Sequence, residues 1–339
     1  MQVTPSGIRT ESHPRCYLCG AEGASLYRDR IDALFAAPGV WSFLKCPSST
    51  CGLIWLEPRP IPEDVHLAYQ TYFTHGESDG PPPAGMRLRA WLYAGYLGGQ
   101  ALLAALLGLK NSKAQMRAMF LDDLPPGNLL DVGCGDGLFL NRMSRLGWTV
   151  DGVDFDGKAI QNAKSKYGLS LRHGDLHGAH FADATFDAIT LSHVIEHVPD
   201  PINLLVEVRR ILKPGGRVVL TTPNSGSWGH ERFQHYWFGL DPPRHLNVFS
   251  PRTLGELARR AGLRVSKVTS TAANADIFIG GSYTIEEVGN EPKRKPQGAN
   301  ISLLRGCRAA FAQYREHFAL AKHPESGEEA VLICTKPPH

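Results

Sequence analysis

The sequence predicts an α/β fold: a doubly wound, mostly parallel sheet of seven strands, with a small cysteine-bearing module ahead of it. Three observations carry this. From residue 128 onward, short apolar runs alternate with segments of helical period, the pattern of strands joined by crossover helices. The first of these runs ends in a glycine-rich loop where a helix should begin. Four of the seven cysteines crowd into the first 51 residues. At 339 residues the chain suits one full-sized domain and a smaller unit, against a norm of roughly 150 residues per domain. Its 36 basic and 33 acidic residues leave a net charge of +3, far from the basic excess of proteins that bind by neutralising phosphates, so no nucleic acid partner is expected. The start of the chain lacks the basic and apolar regions of a secretory signal, which makes a reducing, cytoplasmic setting the expectation. Its cysteines are then thiols or metal ligands.

Residues 1–60 read as a zinc ribbon. Cys16-Tyr-Leu-Cys19 and Cys46-Pro-Ser-Ser-Thr-Cys51 are two knuckles separated by enough chain for a hairpin. Four thiolates close a tetrahedral Zn²⁺ sphere and leave no position for water or substrate, so the metal's role is structural. The second knuckle is looser than C-x2-C, and disulfides or unpaired buried thiols are the alternatives. Cys134, Cys307 and Cys334 sit among apolar neighbours and read as core or loop residues.

Residues 61–124 are expected to form a linker and an apolar helical lid or cap. Repeated prolines break the chain from residue 57, and Tyr69, Tyr72 and Phe73 either pack the ribbon onto the larger domain or line a substrate entrance. Residues 90–109 carry no charge, a length that raises the question of a membrane span. Gly95, Gly98, Gly99 and Gly108 dilute the apolarity, while Leu88, Leu92, Tyr96, Leu103 and Leu107 recur near helical spacing. The expected element is a helix over 88–109: a packed lid over an apolar substrate site, a peripheral membrane contact, or a span.

Strands are expected near 128–133, 149–154, 169–174, 186–192, 216–222, 263–271 and 329–335, with helices near 137–147, 157–167, 201–212, 251–262 and 300–320. The first strand ends in Asp131-Val-Gly133-Cys134-Gly135-Asp-Gly137, whose glycines let the backbone approach a ligand at a helix N-terminus. About 20 residues on, the second strand ends in Asp154, a carboxylate placed for the two hydroxyls of a ribose.

The loop is not the G-x-G-x-x-G of nicotinamide and flavin folds. It resembles motif I of the class I S-adenosylmethionine (SAM)-dependent methyltransferases. Gly174-Asp175-Leu176, Phe186-Asp187-Ala-Ile, Leu212-Lys-Pro-Gly-Gly216-Arg-Val-Val-Leu and Thr222-Pro-Asn224 continue the resemblance, and Ala330-Val-Leu-Ile-Cys-Thr-Lys-Pro is similar to that fold's terminal antiparallel strand. It covers residues 125–339, a SAM-binding domain in a Rossmann-like sheet, and is similar to the ubiquinone O-methyltransferase group. The cysteine prefix resembles that of a subgroup associated with glycan or natural-product tailoring. The resemblance implies that Asp131, Gly133 and Gly135 hold the amino-acid end of SAM, Asp154 its ribose, and Asp175 with Leu176 its adenine. Cys134, Phe155 and Ser192 complete the implied cofactor set.

After the fourth strand comes Ser192-His193-Val-Ile-Glu196-His197-Val-Pro199-Asp-Pro201, at the sheet edge where open α/β folds place their sites. The H-x-x-E-H string also occurs in zinc peptidases, on a long helix that Pro199 and Pro201 do not allow here. The segment resembles the Glu/His-x-x-Glu-His-Val stretch of ubiquinone-type O-methyltransferases, whose acidic version can hold a divalent metal. With His193 at the first position, a hard Mg²⁺ is less well served. Methyl transfer is an in-line displacement that needs alignment and the exclusion of water, and a hydroxyl acceptor must also lose a proton. His193, directly after the strand, is the favoured general base, with His197 second and Glu196 beside them. In the alternative, both histidines only shape the loop or hold SAM.

Residues 225–250 form an insert dense in Trp228, His230, Phe233, His235, Tyr236, Trp237, Phe238 and His245. An acceptor pocket built from Trp228, Tyr236, Trp237, Arg244 and His245 is expected, with Arg244 and His245 meeting an anionic or hydroxylated substrate or, alternatively, His245 bonding backbone. Residues 286–299 read as a surface linker. The expected function is transfer of the SAM methyl to a small-molecule, sugar or lipid-linked acceptor, at a hydroxyl oxygen. C- or N-methylation and a SAM-binding scaffold without catalysis are the alternatives.

Overall fold

The protein is described from a computed structural model covering residues 2–3, 7–70, 108–289 and 303–338. The N-terminal part is built of short antiparallel strands. β1 (Gln2–Val3), β2 (Arg9–Glu11), β3 (Ala24–Arg30), β4 (Trp41–Lys45), β5 (Ile54–Glu57) and β6 (Arg59–Pro60) form two sheets, β1-β2-β6 and a second built on β3, β4 and β5. Alternation drives β4: Trp41 and Phe43 are buried while Ser42 and Leu44 are half-buried. A 3-10 turn over Pro62–Tyr69 occupies ground expected to be linker. It is tied down by Asp64, which accepts from the Arg9 backbone at 2.7 Å and from the Arg9 guanidinium at 2.8 Å.

The expected helix over 88–109, together with Tyr72 and Phe73, lies outside the described residues except at its end. There Gly108 precedes α1 (Leu109–Arg117), and Leu109 is fully buried. No helix among the described residues is long and apolar enough to cross a membrane.

The large sheet then shows the expected alternation: β7 (Asn128–Val132), α2 (Leu138–Arg145), β8 (Thr149–Asp154), α3 (Gly157–Tyr167), β9 (Arg172–His173), β10 (Phe186–Ser192), α4 (Pro201–Ile211) and β11 (Leu212–Pro223). Asp156 and Asp200 cap α3 and α4 by accepting backbone N–H groups of their first turns. The insert holds α5 (Trp228–Phe233) and β12 (Asn247–Val248). Next come α6 (Pro251–Arg260), opened by a Ser250/Thr253 capping box, β13 (Arg264–Thr271), α7 (Ala275–Val288), α8 (Leu303–Ala319) and β14 (Glu329–Thr335). The order is β13-β14-β11-β10-β7-β8-β9, parallel except that β14 runs antiparallel to both neighbours. This is the doubly wound, seven-stranded Rossmann-like sheet expected, with its last strand antiparallel. Leu129, Leu130, Ile189, Leu191, Val218, Leu220 and Leu332 are wholly buried at its centre, each contributing roughly 1.5–3 kcal/mol by leaving water.

Two features were not anticipated. α7 occupies a stretch with no expected helix or strand and takes in the first residues of the linker expected over 286–299, whose remainder from residue 290 lies outside the described residues. And β12, from the insert, pairs with β5, so the second N-terminal sheet is completed by a strand from residues 247–248. Arg59 donates to Asn247 in the same place. The cysteine knuckles pack on α4 and α6, where the Tyr17 hydroxyl donates to Asp200 and accepts from the Ile202 backbone.

Candidate active site

The strand order reverses between β8-β7 on one side and β10-β11 on the other, which opens a crevice at the carboxyl edge beside β7. The glycine loop after β7 lies there. Gly133 has φ +73°, and a Cβ on it would meet Val194 Cγ2 at 2.4 Å, so the loop can approach the turn after β10 only because this residue is glycine. Gly135 donates its N–H to Asp154 Oδ2 at 2.8 Å, and Asp156 N donates to Asp154 Oδ1 at 2.8 Å. Asp154 is thereby fixed against the glycine loop. Asp131, at the end of β7, is buried and accepts from the Thr190 hydroxyl at 2.6 Å. Burial raises its carboxyl to about 7 despite that hydrogen bond, with the nearby Asp154 charge adding to the rise. A cavity of about 370 Å³ adjoins it, lined by Asp131, Ser192, Phe139, Arg142, Arg117 and Lys113 among others. The basic residues of α1 and α2 were not singled out by sequence.

Not every implied cofactor residue faces this crevice. Cys134 is buried with Leu129 and Leu140. Leu176 packs in the core with Val153 and Phe181, so only its backbone is left to offer a ligand. Asp175 is exposed and accepts from Gly178 N at 2.6 Å. Phe155 stands 64% exposed at the end of β8, with the Tyr69 ring edge-on at 5.6 Å. Ser192 bonds the Thr221 hydroxyl at 3.1 Å.

The turn after β10 holds the two histidines in contrasting settings. His193 adopts φ +54° and donates from both ring nitrogens, from Nδ1 to Glu196 Oε1 at 3.2 Å and from Nε2 to Glu329 Oε1 at 2.8 Å. Thr222 donates to the other oxygen of Glu196, and Asn274 to the other oxygen of Glu329. Burial by itself lowers the His193 pKa, but the two carboxylates outweigh it and lift the value to about 10. Burial likewise opposes ionisation of Glu196, and the His193 charge overrides it, holding the carboxyl at about 2. This geometry, with a carboxylate oxygen at each ring nitrogen, argues against the general-base role expected for His193. An imidazolium with both N–H groups on carboxylates has no lone pair with which to take a proton.

His197 is the reverse case. Its Nδ1 lies 3.0 Å from the carbonyl oxygen of Arg244 and 3.0 Å from the Tyr69 hydroxyl. Burial and the neighbouring His245 push its pKa down to about 4, with Glu196 only partly offsetting them. His197 is therefore neutral at pH 7. Since a carbonyl can only accept, Nδ1 carries the hydrogen and the lone pair sits on Nε2. His245 packs edge-on at 4.8 Å and gives its own Nδ1–H to Gly239 O at 2.8 Å. Ligand atoms of Glu196, His197 and His245 lie within 4.8 Å of one another, but both oxygens of Glu196 are already hydrogen-bonded. Each of the three is hydrogen-bonded to a group outside the trio, Glu196 to His193 and Thr222, His197 to the Arg244 carbonyl and His245 to the Gly239 carbonyl.

The expected acceptor pocket does not assemble from its five residues. Arg244 is fully buried, pairing with Asp32 Oδ2 at 2.8 Å and donating to Asp241 Oδ2 at 2.8 Å. Burial disfavours its charge, yet the two carboxylates raise its pKa further. It ties the insert to the N-terminal part instead of meeting a substrate. Trp237 is 1% exposed and donates to Glu328 Oε2 at 2.7 Å, a core position. Of the alternatives for His245, the backbone bond is the one observed. Trp228 lies under the Arg315 guanidinium at 3.7 Å in an outer groove with Arg232 and Tyr283. Tyr236 lines a separate small cleft with Arg30, Asp32 and Asp241.

At the other end, Cys16 and Cys51 Sγ are 3.6 Å apart and Cys19 and Cys46 Sγ 3.3 Å apart, all four within 4.8 Å. These separations exceed the ~2.05 Å of a disulfide and approach the ~3.8 Å edge of a tetrahedron of thiolates ~2.3 Å from a zinc ion. The donor set fits such an ion.

A family described as a methyltransferase domain matches residues 109–268. Among curated relatives, the ubiquinone biosynthesis O-methyltransferase of Thiobacillus denitrificans is 31% identical over 158 residues, spanning 43% of this chain and 68% of the relative. That of Alkalilimnicola ehrlichii is 35% identical over 168 residues, 48% of this chain and 65% of the relative. A third, from Paracidovorax citrulli, is 34% identical with half of its length covered. The chain thus spans between half and about two thirds of these relatives. Among solved structures, a SAM-dependent methyltransferase from Archaeoglobus fulgidus aligns with TM-score 0.43 and 19% identity, over 69% of this chain and 98% of that one.

Proposed function

This chain belongs to the class I SAM-dependent methyltransferases, and from that premise we propose that it methylates a hydroxyl oxygen of a small-molecule acceptor, with His197 taking the hydroxyl proton. One observation carries the reading: at the strand-order reversal, the Asp154-anchored glycine loop touches the turn that holds a neutral His197 with its tautomer fixed. Oxygen as the acceptor atom is supported by the likeness to ubiquinone biosynthesis O-methyltransferases.

SAM supplies an activated methyl when bound. In this reading Asp131 faces its ammonium, Arg117, Arg142 or Lys113 its carboxylate, Asp154 its ribose, and Phe155 and Asp175 the adenosine end. Gly133 and Gly135 keep side chains out of the way. His197 presents Nε2 to the acceptor hydroxyl, and its lowered pKa makes it a weaker base than a histidine titrating near neutrality, so its share falls at the low end of the roughly 10²- to 10⁴-fold that general bases contribute. Glu196 and His193 hold the turn. The four cysteines hold a structural zinc, which fixes strands too short to support a core of their own. A sugar or lipid-linked alcohol falls within the same acceptor class.

The test is incubation of zinc-replete protein with methyl-labelled SAM and fractionated hydroxyl-bearing extracts. Label in alkali-stable methyl ethers is the expected result, and its partition between organic and aqueous phases separates lipid-linked from polar acceptors. Label on nitrogen or carbon, or S-adenosylhomocysteine binding with no transfer, would overturn the reading.

A further inference from the structure

We infer that the N-terminal part of the chain completes the reaction centre, and that Tyr69 is the positioning residue it contributes there. The inference rests on the reading of His197 as proton acceptor and adds what sets that histidine's orientation.

Tyr69 ends the turn Pro62–Tyr69, which the Arg9–Asp64 pair anchors to the first strands. Its hydroxyl lies 3.0 Å from His197 Nδ1, across a sequence separation of 128. Its ring meets the rings of both Phe155, at 5.6 Å, and His197, at 6.1 Å. One side chain from outside the large sheet therefore spans from the ribose end of β8 to the proposed base. Because the Arg244 carbonyl obliges Nδ1 to carry its hydrogen, the Tyr69 oxygen is a second acceptor for that hydrogen. Two acceptors on one N–H hold the ring plane and leave the lone pair on Nε2.

The Arg244 carbonyl is under the same control. Arg244 is held by Asp32 at 2.8 Å and by the Ala68 carbonyl at 2.9 Å, both from the N-terminal part. Asp32 is in turn fixed by backbone N–H groups of Leu34, Phe35 and Ala37. Just beyond, Leu246 N donates to Glu196 O, and Leu56 N of β5 donates to Leu246 O. Both oxygen partners of His197 Nδ1 thus depend on residues up to position 69. The large sheet alone would carry the histidine but not its orientation.

The test is Tyr69→Phe in the full-length, zinc-replete protein, with His197→Gln alongside. Loss of the hydroxyl should lower kcat about tenfold, a fraction of a base's full contribution, while KM for SAM stays within twofold and the thermal midpoint is unchanged. The ¹⁵N shift of His197 Nδ1 should move with the loss of one of its two acceptors, while the Arg244 carbonyl keeps the hydrogen on that nitrogen. Tyr69→Ala, which also uncovers Phe155, should raise KM for SAM as well. Wild-type kcat and unmoved ring shifts in Tyr69→Phe, with His197→Gln inactive, would overturn the inference and leave the base reading standing. Should His197→Gln keep wild-type turnover, the base reading falls. The ring shifts of Tyr69→Phe then decide the inference by themselves: moved shifts uphold positioning by Tyr69 and unmoved shifts overturn it.

Discussion

The two ends of the turn over residues 192–198 carry the same side chain into opposite electrostatic surroundings. At one end His193 lies between Glu196 and Glu329, with its pKa lifted to about 10. At the other, His197 is packed against His245 and bonded to a backbone carbonyl, with its pKa lowered to about 4. The partners that make the difference come from far along the chain, Glu329 at a separation of 136 and Arg244 at 47. A histidine's protonation at neutral pH is set by what the tertiary fold brings to its two nitrogens, not by its place in a motif.

The sharpest way to break this contrast is to remove each ring in turn. His197→Gln should cost about 10²-fold or more in single-turnover methyl transfer at pH 7.5, with SAM affinity by calorimetry unchanged. His193→Gln should cost less in turnover and more in stability. If the His193 variant suffers the larger loss of chemistry, the assignment of charges to the two ends is wrong.

A second test sharpens the charged end. Glu329→Gln removes one carboxylate, and the loss should be about 1–3 kcal/mol, below the ~3–5 kcal/mol of a fully buried pair because 35% of the His193 side chain remains exposed. Its pH dependence has a defined sign. A histidine pKa raised on folding adds stability that is fully present below the unfolded value of ~6.5 and is lost as pH rises through about 10. Wild type should therefore exceed the variant most near pH 6, with the gap closing toward pH 10 in denaturant melts. Proton NMR should show His193 of the variant titrating closer to neutrality.

The smallest effect concerns the cofactor edge, which serves as the contrast's control. With the Asp131 carboxyl raised to about 7, mainly by burial, the SAM-free protein holds a proton there at pH 6 that an incoming ammonium should displace. SAM affinity should rise a few-fold between pH 6 and 7.5, roughly the scale of half to one pKa unit of linkage. Calorimetry in buffers of different ionisation heat should detect proton release, and Asp131→Asn should abolish both signals.

Much of this was legible in the sequence. The central strands β7, β8, β10 and β14 lie within a residue of the expected spans because continuous apolar runs bounded by glycine and proline are a strong local signal. The glycine loop was identifiable because close backbone approach at a strand end favours glycine, and Asp154 because it ends the next strand about 20 residues on. The helix α7 was missed since Gly280, Gly281 and its β-branched residues argue against helix locally. Yet Ala275, Phe278, Ile279 and Ser282 are buried at helical spacing, and packing against α8 prevails over propensity. Arg244 and Trp237 looked like substrate residues because charge and aromaticity suggest recognition, and nothing local announces Asp32 or Glu328 as their partners. Tyr69 was noted only as a packing or entrance aromatic, and Asp32, Glu329 and Asn274 left no functional signal at all, each being ordinary in its own segment.

By itself, then, the sequence determined the sheet, the glycine loop with its carboxylate, and the grouping of Cys16, Cys19, Cys46 and Cys51. All of these rest on periodicity or on chemistry between residues close in the chain. Only the tertiary structure decided which partners surround each histidine, that Arg244 is a buried tether, and that Tyr69 reaches His197. Those outcomes depend on desolvation and on contacts across 47 to 136 residues of sequence, and distances of that kind come into being only when the chain is folded.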